Sequence, residues 1–177
     1  RIWMRILRVP DGRIRKNRSK RKTRMIWIGI GAGVFLLDNR IKAWMEKNLK
    51  DNLVKEVAKD RILLRKYHNR GMALGAGEKY PKAVKGGTAV FWVILAAGYL
   101  RLLAGKEKES TLTKLGGALA LGGGACNLAD RLRRGYVTDY FSFNVPWKKL
   151  RGLVFNLSDM FIAVGALLAA IGMCRRK

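Results

Sequence analysis

Apolar residues along this chain come in blocks rather than in a helical or strand-like alternation. Four blocks stand out: MIWIGIGAGVFLL at 25–37, running on through DNRIKAWM; TAVFWVILAAGYLRLLAG at 88–105; LGGALALGGGACNLA at 115–129; and a stretch from about Leu153 to Cys174. A membrane-crossing helix needs roughly 20 mostly apolar residues. The first and third blocks are shorter and complete a crossing only with their polar continuations. Those continuations contain Asp38, Lys42, Asn127 and Asp130, which must then face the interior of a bundle. The Gly-rich third block suits close approach of helices. The first block also has the outline of a signal peptide, but no small-x-small cleavage site follows; Asp38, Asn39 and Arg40 come next, and it reads as a retained span.

Between the blocks the chain is polar and basic. Residues 1–24, RIWMRILRVPDGRIRKNRSKRKTR, are broken by Pro10 and Gly12 and are expected to form a mostly disordered cytoplasmic arm. Such an arm suits an anionic membrane surface, where each Lys or Arg contributes roughly 1 kcal/mol. The basic arm and the CRRK terminus place both chain ends in the cytoplasm, consistent with an even number of spans. The connectors 46–87 and 131–151 then lie outside. The first is too long for a turn, and ILLRKYHNRGMAL and YVTDYFSFNV contain short β-branched or aromatic runs. They predict a small sheet on the outer membrane face, while KEKESTLTK is a short inner connector. The expected architecture is an all-α membrane protein with four transmembrane helices, residues 25–177 forming one domain in the cell membrane.

Composition sharpens this picture. The 177 residues include 37 Lys and Arg against 12 Asp and Glu, a formal charge of +25. Charge alone points to nucleic acid, but four apolar blocks have no place in such a protein. The basic arm also lacks the interleaved aromatics of an RNA-binding tail. A mean hydropathy of −0.06 averages long apolar runs and basic connectors. Cys126 and Cys174 fall near opposite membrane faces, so no disulfide is expected. No Cys or His spacing suits a metal, and no cofactor is implied.

Carboxylates in apolar surroundings carry the candidate chemistry. Asn127 and Asp130 lie at i, i+3 in CNLADR, as do Asn156 and Asp159 in FNLSD, and on a helix each pair shares a face. Asp139 lies between them in GYVTDYF. Asp38 and Lys42 form an i, i+4 pair that reads most simply as a structural ion pair, and Asp130 followed by Arg131 reads similarly. Asp139 and Asp159 are less easily explained so. Two carboxyls in one low-dielectric site share a proton, which suits one to activate water and the other to polarise a carbonyl. A proton or ion relay through Asp130, Asp139 and Asp159 is the alternative from another class. A Ser158 nucleophile lacks a base.

CNLADRLRRGYVTDYF followed by FNLSD resembles the lipoprotein signal peptidase (signal peptidase II) family, whose pattern reads approximately GNxxDR, VxDF and FNxAD. DNRIK resembles the family's DQxxK, and NRGMAL its NxGxAF block; all five occur in order from about residue 25 onward. The resemblance implies four transmembrane helices and a small extracytoplasmic β-cradle. It implies an aspartic endopeptidase with Asp139 and Asp159 as the catalytic pair, and Asn127, Asp130, Arg131 and Asn156 shaping the site. Asp38, Lys42, Asn69 and Gly71 would support structure or substrate. The implied substrate is a diacylglyceryl-modified prolipoprotein, cut before its lipidated Cys; a silent lipopeptide-binding homologue would keep the same residues. Cys126, Tyr140, Leu74 and Ser158 stand where the family usually has Gly, Phe, Phe and Ala. The arm before Met25 is an extension of the pattern.

Overall fold

The computed structural model describes residues 11–51, 53–72, 76–105 and 109–175. In chain order these form α1 (Asp11–Asn48), β1 (Lys55–Val57), β2 (Ile62–Asn69), α2 (Pro81–Ala104), α3 (Thr111–Arg133), β3 (Val137–Phe143), α4 (Lys148–Arg151) and α5 (Leu157–Cys174). The protein is mostly helical with one small sheet. Leu74 and residues 1–10 lie outside the described residues.

Small residues hold the bundle together. A Cβ at Gly116 would stand 2.4 Å from the Gly165 carbonyl oxygen, and one at Gly122 would stand 2.4 Å from that of Gly31. These glycines let α3 touch both α5 and α1 backbone to backbone. Side chains tie α2 to α3: Trp92 Nε1 donates to the Leu121 carbonyl at 3.1 Å and Tyr99 Oη to that of Lys114 at 2.7 Å.

Among the described residues, α2 and α5 are long and apolar enough to cross a membrane. Their outward faces are open, with Val90, Ile94 and Leu167 exposed. α1 carries Asp38, Arg40 and Lys42 inside its apolar stretch, and α3 is diluted by glycine. α1 also begins earlier than the sequence suggests, since residues 11–24 are helical rather than irregular. After Pro10 and Gly12 no breaker interrupts the basic run, Lys and Arg are good helix formers, and extending an existing helix is far easier than starting one. Arg24 anchors this extension by donating to the carbonyls of Leu103 and Ala104 at the end of α2, at 3.0 and 3.4 Å.

The sheet is antiparallel in the order β1-β2-β3. Its pairing runs from Ile62 opposite Phe143 to Asn69 opposite Val137, with one extra residue on β2 between Leu64 and Tyr67. Phe155 then pairs with Phe141, its N–H donating to the Phe141 carbonyl at 2.7 Å and its carbonyl accepting in return at 3.0 Å. That pairing delivers the start of α5 to the edge of β3.

Candidate active site

Strand alternation sorts the side chains of β3 between two environments. Val137 and Asp139 line a cavity of about 1140 Å³. Thr138 and Tyr140 point the other way, toward α1, where Thr138 Oγ1 donates to Glu46 at 2.7 Å and Tyr140 Oη to Asp38 at 2.8 Å. The bulge in β2 brings Tyr67 opposite Asp139 and sets Asn69 one diagonal step away. Asn69 Nδ2 then donates to Asp139 Oδ2 at 3.0 Å, while Asn69 Oδ1 is occupied by the Gly71 N–H at 2.9 Å.

Asp159 is placed by the way α5 starts. Asn156 is its N-cap: Asn156 Oδ1 accepts from the Asp159 N–H at 2.9 Å, and Asp159 Oδ2 accepts from the Asn156 N–H at 3.1 Å. This reciprocal box satisfies two orphan donors of the first turn. Asn156 and Asp159 therefore do not share a helix face as their spacing predicts, because Asn156 stands before the helix with extended backbone. The cap leaves Asn156 Nδ2 free to donate to Asp139 Oδ1 at 2.6 Å. One asparagine thus holds both aspartates.

Behind Asp159 lies a buried charge cluster. Lys42, fully buried, meets Asp38 at 3.3 Å, Asp130 at 3.0 Å and Asn127 Oδ1 at 2.7 Å. An ammonium only donates, so it selects the oxygen of Asn127 and turns the amide N–H₂ toward Asp159, whose Oδ1 accepts at 2.9 Å. Asp130 takes Lys42 as its partner, not its neighbour Arg131. Arg131 reaches across to the Gly71 carbonyl at 2.7 Å and fixes the segment after β2 against α3. The Asp38–Lys42 pair expected from spacing is present and dry.

The cavity receives both carboxylates along with Asn69, Asn127 and Arg131. Phe91, Trp92 and Leu95 of α2, Leu121 of α3 and Ile162 of α5 give it an apolar wall. Burial pushes the Asp139 carboxyl up to about 7, and the nearby Asp159 charge adds to the rise; the amides of Asn69 and Asn156 oppose it. The arrangement offers water and a carbonyl two carboxyls in a cavity that also has an apolar wall. Among the described residues no group of His, Cys, Asp and Glu is disposed to hold a metal.

The family model described as signal peptidase (SPase) II matches residues 30–175. The chain belongs to the signal peptidase II family. It is therefore a peptidase, and membership covers all of the site residues just described. The lipoprotein signal peptidase of Clostridioides difficile strain 630 is 29% identical over 152 residues, covering 83% of this chain and 93% of that one. That of Halothermothrix orenii is 31% identical over 146 residues, covering 81% and 92%. A solved structure described as a bacterial membrane enzyme superposes with a TM-score of 0.72 at 19% identity, covering 85% of this chain and 88% of that one, and shows the same fold.

Within this signal peptidase II fold, all ten residues singled out from the sequence fall in one connected network around the cavity. Sequence reasoning missed Glu46, and noted Tyr140 and Ser158 without placing them in this network. Glu46 joins α1 to the sheet through Thr138 and His68, the latter at 2.9 Å. Tyr140 and Ser158 both bond Asp38. Adjacency to an aspartate was the available signal for these two. Ser158 Oγ is buried on Asp38 and does not line the cavity, so it is not placed as a nucleophile. Cys126 is buried and Cys174 exposed, both as free thiols.

Proposed function

We propose that Asp139 and Asp159 are the catalytic pair with which this signal peptidase II removes the signal peptide from diacylglyceryl-modified prolipoproteins, cutting before the lipidated Cys. The observation that carries this reading is the shared cavity: both carboxylates open into it, and its apolar wall makes a slot suited to acyl chains. A relay through the bundle fits less well, since Asp130 is committed to Lys42.

In this reading the pair holds one proton. It rests on Asp139, and the negative charge rests on Asp159, where the N-terminus of α5 favours an anion. A water between them attacks the scissile carbonyl and gives its proton to Asp159, while Asp139 donates a hydrogen bond to the developing oxyanion. Collapse of the tetrahedral intermediate breaks the C–N bond. The leaving nitrogen takes a proton from the pair, giving a free amine and a carboxylic acid with no acyl-enzyme. Asn127 and Asn156 hold the aspartates in register, and Asp130 and Arg131 brace α3 against Lys42 and Gly71.

The same reading has α1 and α3 cross the membrane beside α2 and α5, with Asp38, Lys42 and Asp130 turned inward. Both termini lie in the cytoplasm, the sheet outside, and the basic start of α1 at the anionic inner surface. The test is cleavage of a purified lipidated prolipopeptide by Asp139→Asn and Asp159→Asn. Each should lose on the order of 10²–10⁴ in turnover, the range of general acid–base catalysis, and still bind the lipopeptide. Wild-type turnover in either variant sinks the assignment.

A further inference from the structure

We propose that Tyr140 and Ser158 are positioning residues that fix the spacing of the two aspartates through one shared buried carboxylate, Asp38. The inference rests on the reading of Asp139 and Asp159 as the catalytic pair.

Asp38 is fully buried, and a carboxylate so placed must find donors within the protein. Tyr140 Oη donates to its Oδ1 at 2.8 Å. Its Oδ2 accepts from the Ser158 N–H at 3.2 Å and from Ser158 Oγ, with Lys42 Nζ 3.3 Å away and the Cys126 thiol at 3.6 Å. Each hydroxyl belongs to the chain neighbour of a proposed catalytic aspartate: Tyr140 follows Asp139 on β3, and Ser158 precedes Asp159 on α5. Tyr140 Oη also accepts from the Leu157 N–H at 3.0 Å, a second tie between β3 and the first turn of α5.

One carboxylate on α1 therefore clamps the two backbones that carry the pair. Neither hydroxyl lines the cavity, so neither is disposed to touch substrate. The two hydroxyls meet the same acceptor. A shared acceptor makes the two dependent on each other: loss of either removes one of the donors that tie β3 and α5 to Asp38 and loosens their spacing.

The test is steady-state cleavage of a lipidated prolipopeptide by Tyr140→Phe and Ser158→Ala, per mole of monodisperse detergent-purified enzyme. Each variant should lose turnover on the order of tenfold with KM unchanged, because the slot that binds lipid is untouched. In an Asp38→Asn background neither should produce a further loss. A general weakening of the fold would instead lower melting temperature without this dependence on Asp38. Wild-type kcat in both variants, or equal losses with and without the Asp38→Asn substitution, overturns the proposal. If Tyr140→Phe cannot be purified folded, Ser158→Ala decides alone. Asp139→Asn is run alongside. If it is inactive while Tyr140→Phe and Ser158→Ala match wild type, the clamp is wrong and the catalytic pair stands. If it is active, the reading of the pair has failed.

Discussion

At Asp139 burial and a neighbouring charge push in the same direction, and two amides push back. The result, a carboxyl that titrates at about 7 instead of 3.8, makes the folded protein bind more protons than the unfolded chain between those values. By linkage, stability from this group declines as pH rises from about 4 to 7 and is level above. In the proposed mechanism catalysis depends on the proton that Asp139 holds, so turnover should fall as pH rises through about 7. The amide of Asn69 opposes the rise, and Asn69→Ala removes it. The alkaline limb of kcat/KM against pH should then move to higher pH. A limb that stays put, or moves down, would mean that another group sets it.

At the scale of elements, the approach of α3 to α5 holds the Asn127 amide on Asp159. A Cβ at Gly165 would stand 2.6 Å from the Gly116 carbonyl oxygen and 2.7 Å from the Ala120 nitrogen, both backbone atoms unable to step aside. Gly165→Ala should therefore cost about 1–3 kcal/mol, the usual penalty of overpacking. Gly33→Ala on α1, where nothing lies within 4 Å, should be neutral or slightly stabilising, since Gly is the weaker helix former. Thermal unfolding in detergent distinguishes them, and equal melting temperatures would contradict the close-packing account. The helices themselves were largely legible because their apolar blocks are contiguous, and the aromatic and β-branched runs around Ile62–Asn69 and Val137–Phe143 marked two of the strands. The start of α1 was not legible, because a Lys- and Arg-rich run has the same composition as a helix extension or an irregular arm. What separates them is Arg24 meeting the end of α2, a contact between residues some 80 positions apart. The role of Asn156 was hidden for a related reason: i, i+3 spacing describes a helix face and a capping box equally well.

Over the whole molecule, the carboxylates were visible one by one, but not the order in which Lys42, Asn127 and Asn156 connect them. That order depends on helices and a strand, distant in sequence, meeting at one point. The same convergence leaves the cavity with unlike walls, polar at β3 and apolar on α2, α3 and α5. Small residues keep the apolar slot open: Ala120 and Gly124 of α3 and Ala163 of α5 line the cavity. Ala163 lies four residues beyond Asp159 on α5, so a large side chain there should enter the slot from the aspartate's own helix. Ala163→Trp should raise KM for a lipidated prolipopeptide by on the order of tenfold or more, because an acyl chain loses burial worth about 0.8 kcal/mol per methylene displaced. The alkaline limb near pH 7 should not move, since the hydrogen bonds of Asp139 to Asn69 and Asn156 do not involve this part of α5. A variant with wild-type KM would show that the acyl chains lie elsewhere. One with a shifted pH limb would show that the slot and the carboxylates are not independent parts of the site.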